Sequence, residues 1–218
     1  MLIKKLLVAV FICFSQFLHA QDKFLPETTL GIKQGLNMSR LVITPDTSPG
    51  FLFGYNGGLV FRHISEPHLG IQIELNFSQK GWSQRLDSAN SYSRRSSYVE
   101  LPFLSHFEMG KVNSGTNFTL DVGTVLSCLI SEKEKIGIVD TGRMKKYYGN
   151  KIGNKLDFSI CIGIGIVRKT SLGNFEIGCR IVQSLTDIFK INTNYDLTSS
   201  KNQVISFDLK YFVNLSKK

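Results

Sequence analysis

His63, His68 and His106, the hydroxyl of Ser105 and the carboxylates of Asp121 and Asp157 are the groups from which a reactive site could be assembled. His63 and His68 offer two imidazoles to a metal, but a zinc site needs three or four ligands and no third lies near in sequence. Ser105 beside His106 has the composition of a nucleophile and its base. Neighbours in a strand point to opposite faces, so the two cannot meet directly. Asp121 or Asp157 could orient His106, yet no nucleophile elbow accompanies them. Gly163 and Gly165 are not a phosphate cradle, because no helix follows them. Beyond Gln21 the cysteines are Cys128, Cys161 and Cys179; an odd number cannot pair fully and no C-x-x-C occurs, so they read as small apolar residues. The expectation is a chain with no catalytic, cofactor or metal site.

The remaining chemistry is ionic, and it recurs at every second residue. Lys33, Arg62, Lys80, Arg180 and Lys210 stand against Glu74, Glu100, Glu108, Asp121, Asp157, Glu176 and Asp208. Each sits in a segment that alternates apolar and polar, so one face of a strand carries charge and glycine while the other carries Ile, Leu and Phe. Eight such segments occur, around residues 29–39, 51–62, 69–80, 98–108, 118–127, 156–166, 175–185 and 205–213. Each is about as long as the roughly 9–11 residues a tilted strand needs to cross a bilayer. Eight antiparallel strands close into a barrel whose inside just holds side chains. Closure also removes sticky sheet edges. Connections of alternating length are expected: short ones at 65–68, 110–116 and 169–173, and long loops at 40–50, 81–97, 131–154 and 187–202. Pro102 is expected to bend its strand at a bulge, because it cannot donate to the ladder.

Alternation alone does not say which face is inside. Two aromatic levels, Phe51, Phe53, Phe77, Phe158 and Phe207 above and Phe61, Phe107, Phe118, Phe175 and Tyr211 below, bracket an aliphatic band, as the two interfaces of a membrane require. Charges of both signs on the other face can pair in a narrow interior, whereas isolated buried charges are very costly. The fold class expected is all-β: an eight-stranded antiparallel up-and-down transmembrane barrel, its interior plugged by Lys33, Arg62, Glu74, Glu100, Asp157, Glu176, Arg180 and Asp208. Lys133, Lys135, Arg143, Lys145 and Lys146 are expected to give the 131–154 loop a basic contact surface.

The chain has 218 residues, 42% hydrophobic and 20% charged, which excludes a disordered protein. The formal net charge of +9 suits anionic lipid and, without a basic stripe or motif, does not indicate nucleic acid. Lys4 and Lys5, an apolar run from Leu6 to Leu18 and the small Ala20 read as an export signal over residues 1–20, cleaved before Gln21. Residues 21–218 then form one barrel domain.

The sequence resembles the PorT-like outer-membrane β-barrel family of Gram-negative bacteria over essentially all of residues 21–218. The matching stretches are Gly31-Ile32-Lys33-Gln34-Gly35-Leu36-Asn37, Glu74-Leu75-Asn76-Phe77-Ser78-Gln79-Lys80-Gly81 and Tyr98-Val99-Glu100-Leu101-Pro102, together with Glu176 and Arg180. It departs from the family at Gly123-Thr124, where a Gly-Pro is frequent. It departs again at its last strand, which continues through Val213 to Ser216-Lys217-Lys218 instead of stopping at an aromatic residue. The resemblance implies an outer-membrane location and, through the family's namesake, an association with protein secretion to the cell surface; the residues themselves point to a non-enzymatic structural or interaction protein. Outer-membrane lipid and other envelope or secretion proteins are the expected partners. A narrow channel or ligand-binding barrel is the alternative.

Overall fold

A computed structural model describes residues 25–44, 49–85, 90–110, 115–137, 148–189 and 199–215. The proposed signal at 1–20 and the loop residues Arg143, Lys145 and Lys146 lie outside them. Eight strands follow one another: β1 (Glu27–Thr44), β2 (Gly50–Glu66), β3 (Leu69–Arg85), β4 (Ser91–Met109), β5 (Thr116–Gly137), β6 (Leu156–Thr170), β7 (Gly173–Ser184) and β8 (Ser199–Asn214). Each pairs antiparallel with the next, and β1 pairs with β8 from Thr29↔Asn214 to Thr44↔Ser199, so the ring closes.

The strands form because each has two faces with different solvents. In β6 the branched side chains of Ile160, Ile162, Ile164 and Ile166 point outward and are 48–66% exposed, while Asp157 and Ser159 point inward and are at most 1% exposed. The same inversion holds round the ring: Ile32, Leu59, Leu101 and Leu209 lie outside, and Lys33, Arg62, Glu74 and Lys210 are buried inside. A water-soluble barrel buries its apolar face, so this outer surface is built for lipid.

The strand cores fall where alternation places them, but several expected loops are strand. β3 runs to Arg85 and β4 begins at Ser91, within the expected 81–97 loop; β5 continues to Gly137, within 131–154. At 22 residues β5 is almost twice as long as β7, with 12. In this extension Arg94 of β4 meets Glu132 and Glu134 of β5 across the ladder. Pro102 does not cause the bulge expected of it. It pairs in register with Val125, and on its other side the β3–β4 ladder passes from Ile73↔Phe103 to Asn76↔Glu100 without a shift. The β4–β5 irregularity lies higher, where Ser97↔Ser131 follows Tyr98↔Leu129 and leaves Ile130 as the extra residue.

Candidate functional site

Strand alternation delivers the charged residues to one enclosed space, where they pair in layers. At the centre Glu74 accepts hydrogen bonds from Arg180 (2.7 and 3.0 Å), Lys33 (3.1 Å), Gln72 (2.6 Å) and Asn76 (2.8 Å). Lys33 also reaches Asp208 at 3.3 Å, and Arg180 reaches Asp121 at 3.5 Å. Below, Glu176 accepts from Arg62 (2.6 Å) and Lys210 (2.7 Å), with Arg62 stacked over Phe212 at 4.2 Å. Above, Lys80 pairs with Glu100 (2.5 Å) and Asp157 (3.8 Å). Two-coordinate ion pairs of this kind answer the cost of desolvating each charge, which isolated groups could not bear. An internal cavity of about 20 Å³ separates the upper and central layers, room for about one water.

All eight sequence-selected interior residues therefore lie in this space: Lys33, Glu74, Arg180 and Asp208 in one cluster, Arg62 and Glu176 in the next, Glu100 and Asp157 in the third. Lys80 joins the two acids of the third cluster, Asp121 and Lys210 link the first two, and Gln72 and Asn76 complete the shell of Glu74. The neutral amides could not be singled out, since nothing in their own spacing separates them from other inward polar residues.

His106 is fully buried, its Nδ1 2.6 Å from Asp121 Oδ1. The carboxylate accepts, so the ring proton sits on Nδ1, and Nε2 has no hydrogen-bond partner. This is half of a catalytic array. Ser105 is exposed on the outer face, and among the described residues no hydroxyl is bonded to His106. His63 and His68 take separate partners, Thr28 and the Glu108 carbonyl, each at 2.9 Å. Cys128, Cys161 and Cys179 are free.

A second site, which alternation did not reveal, covers the mouth at the long-strand end. Leu41, Ile43, Trp82, Tyr92, Tyr148, Ile152, Ile188 and Phe189 form one buried apolar cluster. Tyr92 stacks on Tyr148 with centroids 3.9 Å apart, and Phe189 meets Trp82 edge-on at 6.1 Å. Arg94 lies over Trp82 and binds Glu134 at 2.9 Å and Glu132 at 3.5 Å. Those two acids then hold the returning chain: Glu134 accepts the Gly149 N–H (2.9 Å), and Glu132 the Ile152 N–H (3.3 Å). Gly153 and Asn154 donate to the Ile188 carbonyl (3.0 and 3.1 Å), and Ile188 donates to Ser200 (2.8 Å). Segments 148–155 and 185–189 are thus stitched to each other and to β5 and β8 as a cap. Burial pushes the Glu134 carboxyl up, but hydrogen bonds from Tyr92, Gly149 and Arg94 outweigh it and hold the group below its ordinary range. Lys133 and Lys135 are exposed on the opposite face of the same extension, with Lys133 paired in register to Arg95.

The family described as outer membrane protein beta-barrel domain matches residues 14–190. The chain belongs to that family. This outer-membrane barrel is similar in fold to OprG from Pseudomonas aeruginosa (12% identity, TM-score 0.46, covering 86% of this chain and 95% of that one). It is also similar to Ail of Yersinia pestis, solved with the heparin analogue sucrose octasulfate (14%, 0.41, 86% and 99%). A third similar structure is the outer membrane enzyme PagL (11%, 0.43, 80% and 97%). No curated protein matches the sequence. Family and architecture place the barrel in the outer membrane of a Gram-negative bacterium, with lipid against its apolar outer face.

Proposed function

We propose that this barrel is a closed, non-enzymatic scaffold of the outer membrane that works through contacts on its extracellular side, accessory to protein secretion as the PorT-like resemblance implies. The observation that carries the reading is the filled interior. Three layers of ion pairs occupy the lumen, the space between two of them is the size of one water, and an apolar cap lies over the mouth. In this reading Lys33, Arg62, Glu74, Glu100, Asp157, Glu176, Arg180 and Asp208 hold the cylinder shut. Lys133 and Lys135, with Arg143, Lys145 and Lys146, present positive charge to phosphate-bearing surface glycolipid or an acidic partner. His106 acts as a structural member of the network, and its replacement by Ala leaves surface-lipid chemistry unchanged. Residues 1–20 serve as the export signal, so the mature protein begins at Gln21, which N-terminal sequencing checks.

Planar-bilayer recording on the purified barrel tests closure: no stepwise conductance is expected, and defined steps would replace this reading with a narrow channel. Comparing proteins released by a strain with and without the gene tests the secretion role. An unchanged set of surface and secreted proteins removes that part.

A further inference from the structure

The outward face of the β4–β5 ladder changes character within a single rung. Rising from the bilayer, its cross-strand pairs are Leu101↔Leu126, Val99↔Cys128, Ser97↔Ser131, Arg95↔Lys133 and Ser93↔Lys135. The first two rungs, with Ile130, belong to the lipid-facing wall, and the next three are hydroxyls and cations. The extra residue Ile130 makes the switch, because a bulge re-aims the side chains beyond it. Without it Glu132 and Glu134 would point outward beside Arg95. With it they turn inward to Arg94, and Arg95 stands directly opposite Lys133.

Like charges directly opposite on a sheet are destabilising. Among the described residues of β3, β4 and β5 no acid points outward above Val99 to relieve the pair, and Arg85 and Lys135 add to its charge. Arg95 is also held in place. It reaches across β3, at Gly81, to the Phe53 carbonyl on β2 (3.1 Å), which occupies one of its five N–H donors. The Ser97 and Ser131 hydroxyls, one rung below, bond to no described residue. Donors and positive charge thus converge with no carboxylate among them. The opposite rim mixes its signs, with exposed Glu66 and Arg168 and with Lys169 bridging Glu27 and Glu108.

An anion between Arg95 and Lys133 turns their repulsion into two charge-assisted attractions. Their rung lies about 10 Å above Val99 along a tilted strand, and long cationic stems bend from there to headgroup height. We propose that Arg95, Lys133, Ser97 and Ser131 bind the phosphate of an outer-leaflet glycolipid, whose acyl chains lie on Val99, Leu101, Leu126 and Ile130. This rests on the reading that the long-strand rim faces outside the cell. It selects lipid over an acidic protein because the cations continue directly from the apolar wall, so one molecule's headgroup and chains meet both.

The intact barrel, purified in neutral detergent, is titrated with lipid A carrying two phosphates and with the same lipid after phosphatase treatment. The phosphorylated form is expected to bind about tenfold more tightly. Lys133→Glu gives Arg95 a partner and reverses one charge, so it should keep its heat-dependent gel migration and bind roughly thirtyfold more weakly. Lys201→Glu makes the same charge change on β8, across the ring, and should stay within about twofold of the parent. Equal binding of the two lipids, or an equal loss from Lys201→Glu, would overturn the site. Orientation is read separately: on whole cells a membrane-impermeant thiol reagent should label Gly137→Cys, at the end of β5, and not the parent chain. Labelling without phosphate-dependent binding sinks the site alone, whereas no labelling sinks the outward orientation with it.

Discussion

Between Lys33 and Lys210 at membrane depth, and between Trp82 and Tyr148 above it, one barrel is filled in opposite ways. The lower interior is charge and amide packed around Glu74 and Glu176; the upper is aromatic and aliphatic. The same strands supply both. β1 turns Ile32 and Leu36 outward and Lys33 inward, then turns Leu41 and Ile43 inward a few residues later. What changes is the solvent outside. Facing lipid, the apolar residues leave the lumen to ion pairs; facing water, they withdraw into it. The lower interior thus owes its stability to pairing, and the upper one to apolar burial.

The sharpest way to break the comparison is Glu74→Leu. It strands Arg180 and Lys33 with only their longer contacts to Asp121 and Asp208. Losing one partner of a buried pair costs about 3–5 kcal/mol, read as a lower urea midpoint in vesicles. Adding Arg180→Met should recover part of that loss, since an apolar pair tolerates burial better than an orphaned charge. Recovery in the double variant would sharpen the claim that pairing, not charge itself, stabilises the lower interior. A loss under about 1 kcal/mol for the single change would mean the lumen is wet.

Trp82→Ala probes the other region. Truncating a packed tryptophan costs about 3 kcal/mol at the low end, but here the cost should stay in the cap. Amide exchange at Gly153, Asn154 and Ile188 should accelerate by more than tenfold, while β6 and β7 keep their protection and the urea midpoint moves less than for Glu74→Leu. Equal acceleration across β6 would show that the two interiors unfold as one.

The lower region was legible in the sequence and the upper was not, for the same physical reason. Period-two alternation identifies a strand when one face is apolar throughout, as in Ile160 to Ile166. At Ser91–Ser97 and Ser131–Gly137 the outer face meets water and is Ser, Arg and Lys, so the pattern reads as loop. Two further features hid the cap. Ile130 is an extra residue, and past it the inward positions of β5 move from odd numbers (Val125, Ser127) to even ones (Glu132, Glu134). The partners Tyr148, Ile188 and Phe189 come from connections whose path no local pattern encodes. One signal was available: Glu132-Lys133-Glu134-Lys135 alternates in sign with period two, as a strand with an acid-lined inside and a basic outside would.

The smallest expected effect separates the two regions by pH. Glu134 sits outside the bilayer, and its folded-state carboxyl is held below the ordinary value of 4.5. Its stabilisation is therefore complete above that value and fades as pH falls through the lowered one. Because the group is partly exposed, salt screens the effect, which should loosen the cap without unfolding the barrel. Trp82 is the only tryptophan in the chain and lies inside the cap, so its fluorescence reports this step alone. A red shift is expected as pH drops below the ordinary carboxylate range, larger at low salt. Glu134→Gln should lack the transition, because its side chain cannot titrate and binds Arg94 weakly at every pH. No matching alkaline step should appear near the usual tyrosine range, since burial and the Glu134 carboxylate push the Tyr92 phenol well up and keep it donating. A Trp82 transition that survives in Glu134→Gln would assign the acid sensitivity elsewhere and detach the cap from β5.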